Sequence, residues 1–221
     1  MSYMEALERL GKTTEREIRR LFGLYVGAEI TANLFVDLGT VAVSLGQQQG
    51  RYMAELSLLA WLDAHKGSAR PVAAPPIEHY QDSGRVRKGL ETVIGDGIID
   101  PDETARRLER LAFSETVESS QRAFGAAMAK APEVKGWTRG LEPDACELCN
   151  WWSRDGRIWP ADHTMPTHKG CVCTPIPTAA ERIGQVGGEA FTMSNIRRKQ
   201  GTYEERQQSG YADSKRQGRG R

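Results

Sequence analysis

From Leu7 to Tyr25 the apolar residues Leu7, Leu10, Ile18, Leu21, Phe22 and Tyr25 recur mostly at three- and four-residue steps, with the charged residues of ERL and EREIRR between them. Positions so spaced fall on one side of a helix, and the pattern predicts an amphipathic α-helix. A second helical stretch reads through Ile30, Leu34, Leu38, Val41 and Leu45 and ends near Gly46 to Gly50. A third follows through Tyr52, Leu56, Leu59 and Leu62. Pro71, Pro75 and Pro76 mark a connector, placed at about 67–85, because proline removes a helical donor and restricts the residue before it. The clearest helix start is Asp100-Pro101-Asp102-Glu103. Asp100 is a good cap, Pro101 suits the first helical position, and Glu103 is placed to reach back as in a capping box. This helix is expected to run to about Lys130. Leu108, Leu111, Phe113, Val117, Phe124 and Met128 form its core-facing stripe, and Pro132 is the stop signal.

From Trp137 the character changes. Trp137, Trp151, Trp152 and Trp159 crowd into one short region, leaving only Trp61 elsewhere. Asp155-Gly156 has the residues of a tight turn between Trp152 and Arg157-Ile158-Trp159, so a small β-hairpin is expected there. Such a module has little core of its own, and large aromatics would supply most of its burial. The expected architecture is mainly α: a helical domain over 1–136, a metal-stapled β-hairpin module over 137–178, and a flexible basic tail over 179–221.

The staple is read from Cys146, Cys149, His168, Cys171 and Cys173, in the order C-x2-C, spacer, H-x2-C-x-C, which includes every cysteine of the chain. Zn²⁺ takes four thiolate or imidazole ligands in a tetrahedron, and two short turns supply them economically. A structural Zn²⁺ is therefore the expected cofactor. Four cysteines also allow two disulfides, but the opening MSYMEALERLGK does not read as a signal or transit peptide, and disulfides are rare in a reducing compartment. A thioredoxin-like use of C-x2-C is weaker still, since that motif should open a helix after a strand, and Trp151, Trp152 and the Asp155-Gly156 turn are expected to follow instead. Only four of the five candidates are needed. Two residues apart on an extended segment, Cys171 and Cys173 face the same way, so either or both can bind, and an all-cysteine site with His168 behind it is also allowed.

A net charge of +1 over 221 residues gives no reason to expect affinity for nucleic acid or membrane from the whole molecule, so any such affinity must be local. From Arg197 onward eight basic residues, among them Arg197, Arg198, Lys199, Lys215, Arg216, Arg219 and Arg221, face only Glu204, Glu205 and Asp213. With almost no large aliphatics, this end is expected to be disordered when unbound and is the candidate nucleic-acid contact. Leu24 to Leu45 is apolar enough to suggest a membrane span, but it contains Glu29 and Asp37, and a buried helix explains it better.

The run WTRGLEPDACELCNWWSRDGRIWPADHTMPTHKGCVCTPIP resembles the C-terminal signature of the Mu F-like minor head (head morphogenesis) proteins of tailed bacteriophages. In that family a Trp-containing segment leads into C-x2-C, a glycine-bearing hairpin, H-x2-C-x-C and a proline-containing exit. Here these elements fall on Cys146 with Cys149, Gly156, His168 with Cys171 and Cys173, and Pro175 with Pro177, while Lys169 and Val172 depart from the family's usual Pro and Arg. The resemblance implies a structural minor capsid protein made in the bacterial host cytoplasm and carried inside the phage head. Its implied partners are the portal protein, the major capsid or scaffold protein and, through the tail, packaged DNA, with no membrane and no enzymatic role. The strongest rival is an HNH-like nuclease with His163 of Asp162-His163 as general base, set against by the short spacing to His168 and by C-x-C in place of a second C-x2-C. A zinc-ribbon adaptor binding nucleic acid through the basic tail is the third reading, separable by its salt dependence. A zinc deaminase would need H-x-E ahead of P-C-x2-C, which is lacking here.

Overall fold

The computed structural model describes residues 2–66, 83–95, 98 and 100–179, all within the compact unit Met1–Arg182. Pro71, Pro75 and Pro76 of the connector and the basic tail lie outside the described residues. Among the described residues the chain is mainly helical, with one small sheet. Its elements are α1 (Tyr3–Val26), α2 (Ala32–Lys66), α3 (Ser83–Gly95), α4 (Pro101–Lys130), β1 (Gly136–Gly140), α5 (Glu147–Ser153), β2 (Trp159–Pro160) and β3 (Thr174–Thr178).

The first helix begins with a reciprocal cap. The Ser2 hydroxyl accepts from the Glu5 amide, and the Glu5 carboxylate accepts from the Ser2 amide at 2.8 Å. Leu7, Ile18, Leu21 and Phe22 are buried as the periodicity requires, and α4 starts where expected, with Asp100 accepting from the amides of Asp102 and Glu103. Glu103 does not close a capping box there. Its carboxylate takes Arg106 at 3.0 Å, a partner one turn along the same helix face. Of the expected stripe on α4, Leu108, Val117, Phe124 and Met128 are buried, while Leu111 and Phe113 pack at its margin.

Two expectations for the helical part are corrected. Residues 32–66 form one helix and not two, because Gly46 and Gly50 are contact points and not breaks. A Cβ at Gly46 would lie 2.6 Å from Thr14 Oγ1 and 2.8 Å from Thr116 Oγ1, and one at Gly50 would strike Ser120. These glycines let α2 approach both α1 and α4 closely. The second correction is α3, which begins at Ser83 inside the stretch assigned to the connector and buries Val86 and Leu90. It is tied to α4 by Arg85, whose guanidinium holds the Glu115 carboxylate, to which Gln47 of α2 also donates. Burial outweighs that cation and leaves the Glu115 pKa above the ordinary carboxylate value.

The sheet has the order β2-β1-β3, antiparallel throughout, with Trp137 opposite Pro177 and Arg139 opposite Pro175. β3 tolerates its prolines because it is an edge strand. The hairpin expected around Asp155-Gly156 is absent from this sheet. Trp151 and Trp152 belong to α5, which is followed by three left-handed residues, Arg154, Asp155 and Gly156. The sheet also has no separate core. Trp137 and Met165 are buried with Leu58 and Leu62 of α2 and with Phe124 and Met128 of α4, and Val172 with Leu7 of α1 and Val117 of α4.

The glycine contacts make a prediction. Replacing Gly46 by Leu should lower stability by about 1–3 kcal/mol through overpacking. Gly125→Ala, at a helical position with nothing within 4 Å of the added carbon, should raise it by up to about 1 kcal/mol. Thermal or denaturant melting checks both, and equal effects would show that the close approach has no energetic weight.

Candidate metal centre

The two turns that carry the ligand residues are built differently. Cys146 is the N-cap of α5 with an extended backbone, and Cys149 lies one turn further on, so the helix brings both sulfurs to one side. Asn150 secures this start by donating its side-chain amide to the carbonyls of Ala145 and Cys146, at 2.8 and 3.1 Å. The second turn runs from His168 to Cys171, closed by the Cys171 amide donating to the His168 carbonyl at 3.2 Å. Gly170 sits inside it at φ +83°, a conformation that a side chain would strain.

All five sequence-derived ligand candidates meet. Cys146, Cys149 and His168 form one triad and Cys149, Cys171 and Cys173 another, with the potential ligand atoms of each triad within 4.8 Å of one another. Cys149 is common to both. His168 Nε2 lies 3.2 Å from Cys146 Sγ and 3.1 Å from Cys149 Sγ, and Cys149 Sγ lies 3.3 Å from Cys171 Sγ. His168 Nδ1 faces the Lys169 carbonyl at 3.2 Å. A carbonyl only accepts, so Nδ1 carries the proton and Nε2 presents its lone pair to the sulfurs, the tautomer a metal needs. The cluster can hold a metal ion. Cys149, Cys171 and Cys173 are at most 1% exposed, while Cys146 is at the surface.

The environment is polarised. Burial pushes the Cys149 thiol up to about 11; the hydrogen bond to Cys173, with burial, raises Cys171; and the same bond holds Cys173 down at about 5. Arg139, 5% exposed on the central strand, donates toward Cys149 Sγ at 3.4 Å and Cys171 Sγ at 3.7 Å, and to the Pro166 carbonyl at 2.8 Å. Its guanidinium also lies over the Trp152 ring at 5.1 Å. Sequence reasoning passed over this arginine, although its two-residue offset from buried Trp137 places both on one face of β1. Gln121 of α4 was missed as well. Buried, it donates to the carbonyls of Cys171 at 3.0 Å and Cys173 at 2.7 Å, clamping the second turn to the helix. No sequence pattern announces a contact fifty residues long.

The remaining candidates divide. Trp137 is core, with its indole N–H donating to the His163 carbonyl at 2.9 Å, whereas Trp151 is 58% exposed beneath the Arg154 guanidinium. His163 stacks on Trp159 at 4.5 Å and belongs to neither triad, and Arg157 covers the Trp159 ring as well, at 4.2 Å. Arg197, Arg198, Lys199, Lys215, Arg216, Arg219 and Arg221 lie outside the described residues.

Gln121→Ala should cost about 1–3 kcal/mol of stability, since it leaves two carbonyls without their donor, and should speed removal of bound metal by a chelator. A variant that melts lower but releases metal at the parental rate would reduce Gln121 to a packing residue. Comparison with known proteins adds no constraint, as no family model, curated protein or solved structure is significantly similar to the chain.

Proposed function

We propose that this protein is a structural minor capsid (head morphogenesis) protein of a tailed bacteriophage, in which a zinc ion is a fold element and not a catalyst. The reading rests on the resemblance of Trp137–Pro177 to the Mu F-like signature. The observation that carries it is the convergence of both halves of that signature on Cys149. Bond lengths of about 2.3 Å to sulfur and 2.0–2.1 Å to nitrogen give a tetrahedron with edges of roughly 3.5–3.8 Å. The observed separations of 3.1–3.3 Å are slightly shorter than those edges, so an ion would spread the donors a little. Soft thiolates with an imidazole favour zinc over magnesium or calcium, which prefer oxygen. In this reading Cys146, Cys149 and His168 supply three ligands, and the pair Cys171 and Cys173 supplies the fourth.

Such a site stabilises by linkage, because the ion binds the folded arrangement and not the open chain. It holds the segment after β1 in shape against α4, where the small sheet alone would not. The partners on this reading are the portal protein and the major capsid or scaffold protein inside the head, with packaged DNA reached through the basic tail.

Purified protein should contain one zinc per chain by elemental analysis. Cys146→Ser and Cys149→Ser should each release it and lower the melting temperature. Of Cys171→Ser and Cys173→Ser, the one that loses metal identifies the fourth ligand. For the head assignment, co-expression with the portal and coat proteins of the same phage should leave the chain in sedimented heads at low copy number. Heads assembled in its presence but free of it would end the proposal, and DNA cleavage lost in His163→Ala would replace it with the nuclease.

A further inference from the structure

The long helix α2 is apolar on two sides. One side sends Phe35, Val36, Val43, Ala54, Leu58 and Leu62 into the core. The other presents Leu34, Leu38, Val41, Leu45, Tyr52 and Leu56, each between 39% and 58% exposed. Isolated exposed aliphatics are ordinary, but a continuous row of them marks an interaction surface. Six of the ten large apolar side chains exposed among the described residues stand on this one helix, so the row is not scatter.

The spacing of the row says what fits it. With Gln49 included, the outer positions are 34, 38, 41, 45, 49, 52 and 56, in steps of three and four as in the seam of paired helices. They are also symmetric about Leu45: Val41 and Gln49, Leu38 and Tyr52, and Leu34 and Leu56 stand at equal distances on either side of it. A helix laid antiparallel on a copy of itself, with Leu45 at the crossing, sets each of these residues against its counterpart and Leu45 against Leu45. That reciprocity is what a two-fold interface demands, and a parallel pairing or an unrelated partner would not require it.

Area and charge agree with this occupant. The six exposures add up to about three whole side chains, on the order of 450 Å² taking ~150 Å² for each. Doubled across two copies and rimmed by polar residues, the contact reaches the roughly 1,000 Å² at which specific interfaces begin. No charged residue interrupts the row, and the neighbouring Asp37 is already engaged by Arg87, so two copies meet without like-charge repulsion. Beside the centre lies a groove of about 590 Å³ lined by Thr40, Val41, Leu45, Gln48, Tyr52 and Ser83, room for a side chain from the other copy.

We propose that the outer face of α2 binds a second copy of this chain, antiparallel, about a two-fold axis at Leu45. The proposal is independent of the phage-head reading and of the metal. Light scattering on the full-length protein should give twice the 24.5 kDa chain mass, falling toward the monomer on dilution. Leu45→Glu places two carboxylates together at the axis and should weaken association at least about a hundredfold. Because Leu45 is half exposed, its far-ultraviolet circular dichroism should stay that of the parent. Cysteine cross-linking supplies a second readout. Leu45→Cys should join to itself under mild oxidation, Leu34→Cys alone should not, and the mixture of Leu34→Cys with Leu56→Cys should. A parent that stays monomeric at every concentration overturns the proposal, whether residues 67–82 of the same chain or another protein covers the face. So does a dimer that survives Leu45→Glu, or one in which Leu34→Cys joins to itself and Leu45→Cys does not.

Discussion

Arg139 is buried where a guanidinium has to be balanced, and the groups it faces are the sulfurs of Cys149 and Cys171, one carbonyl and the ring of Trp152. An unmatched charge at such a depth costs several kcal/mol, so the arginine requires anionic sulfur. Neutral thiols cannot supply it; Cys173, held down at about 5, supplies one thiolate in the same cluster. A divalent ion bound here would add others, because coordination strips the protons from its cysteines. Three thiolates and an imidazole on such an ion leave one net negative charge, which the guanidinium cancels, whereas two thiolates would leave none. On such an ion, three cysteine ligands are the number at which the cluster and the guanidinium balance.

From that constraint the rest of the sheet end follows. Arg139 is fixed by β1, and the alternation of that strand puts Trp137 on the same face, where it enters the core shared with α2 and α4. The second ligand turn is fixed independently, by Gln121 reaching from α4 to the carbonyls on either side of Val172. One half of the cluster is therefore referred to the strand and the other to the helix, and the ligand atoms meet where the two supports meet. This segment has only a small cluster of its own, the buried cysteines with Leu141 and Ala145, to offset the entropy of its loops, so much of its order comes from borrowed helix surface.

Legibility in the sequence followed the range of the interaction involved. Caps and periodic stripes are local, and Asp100, Pro101 and the apolar positions of α1 and α4 announced their helices correctly. The ligand candidates were equally plain, since cysteine and histidine at turn spacing have few other uses. What lay beyond reach was long-range: Gln121, fifty residues from the carbonyls it binds, and Arg139, indistinguishable in the sequence from a surface arginine. The spacer misled for a different reason. Asp155-Gly156 suits a hairpin, but it equally suits the left-handed exit of a short helix, and the C-x2-C turn began that helix first.

The glycines of α2 make the same point and carry it further. Glycine in a helical pattern marks either an end or a place where another backbone comes close, and residue type alone cannot separate the two. Phase can. Had the helix stopped near Gly46 and restarted at Tyr52, the apolar positions beyond the gap would have no reason to keep step with those before it, yet 34, 38, 41, 45, 52 and 56 hold one phase throughout. Gly46 and Gly50 lie off that row, against Thr14, Thr116 and Ser120, so the small residues serve the inner contact while the row faces outward. An outward row that holds one phase over about 33 Å, at 1.5 Å per residue, is the kind of surface that can meet a copy of itself in register.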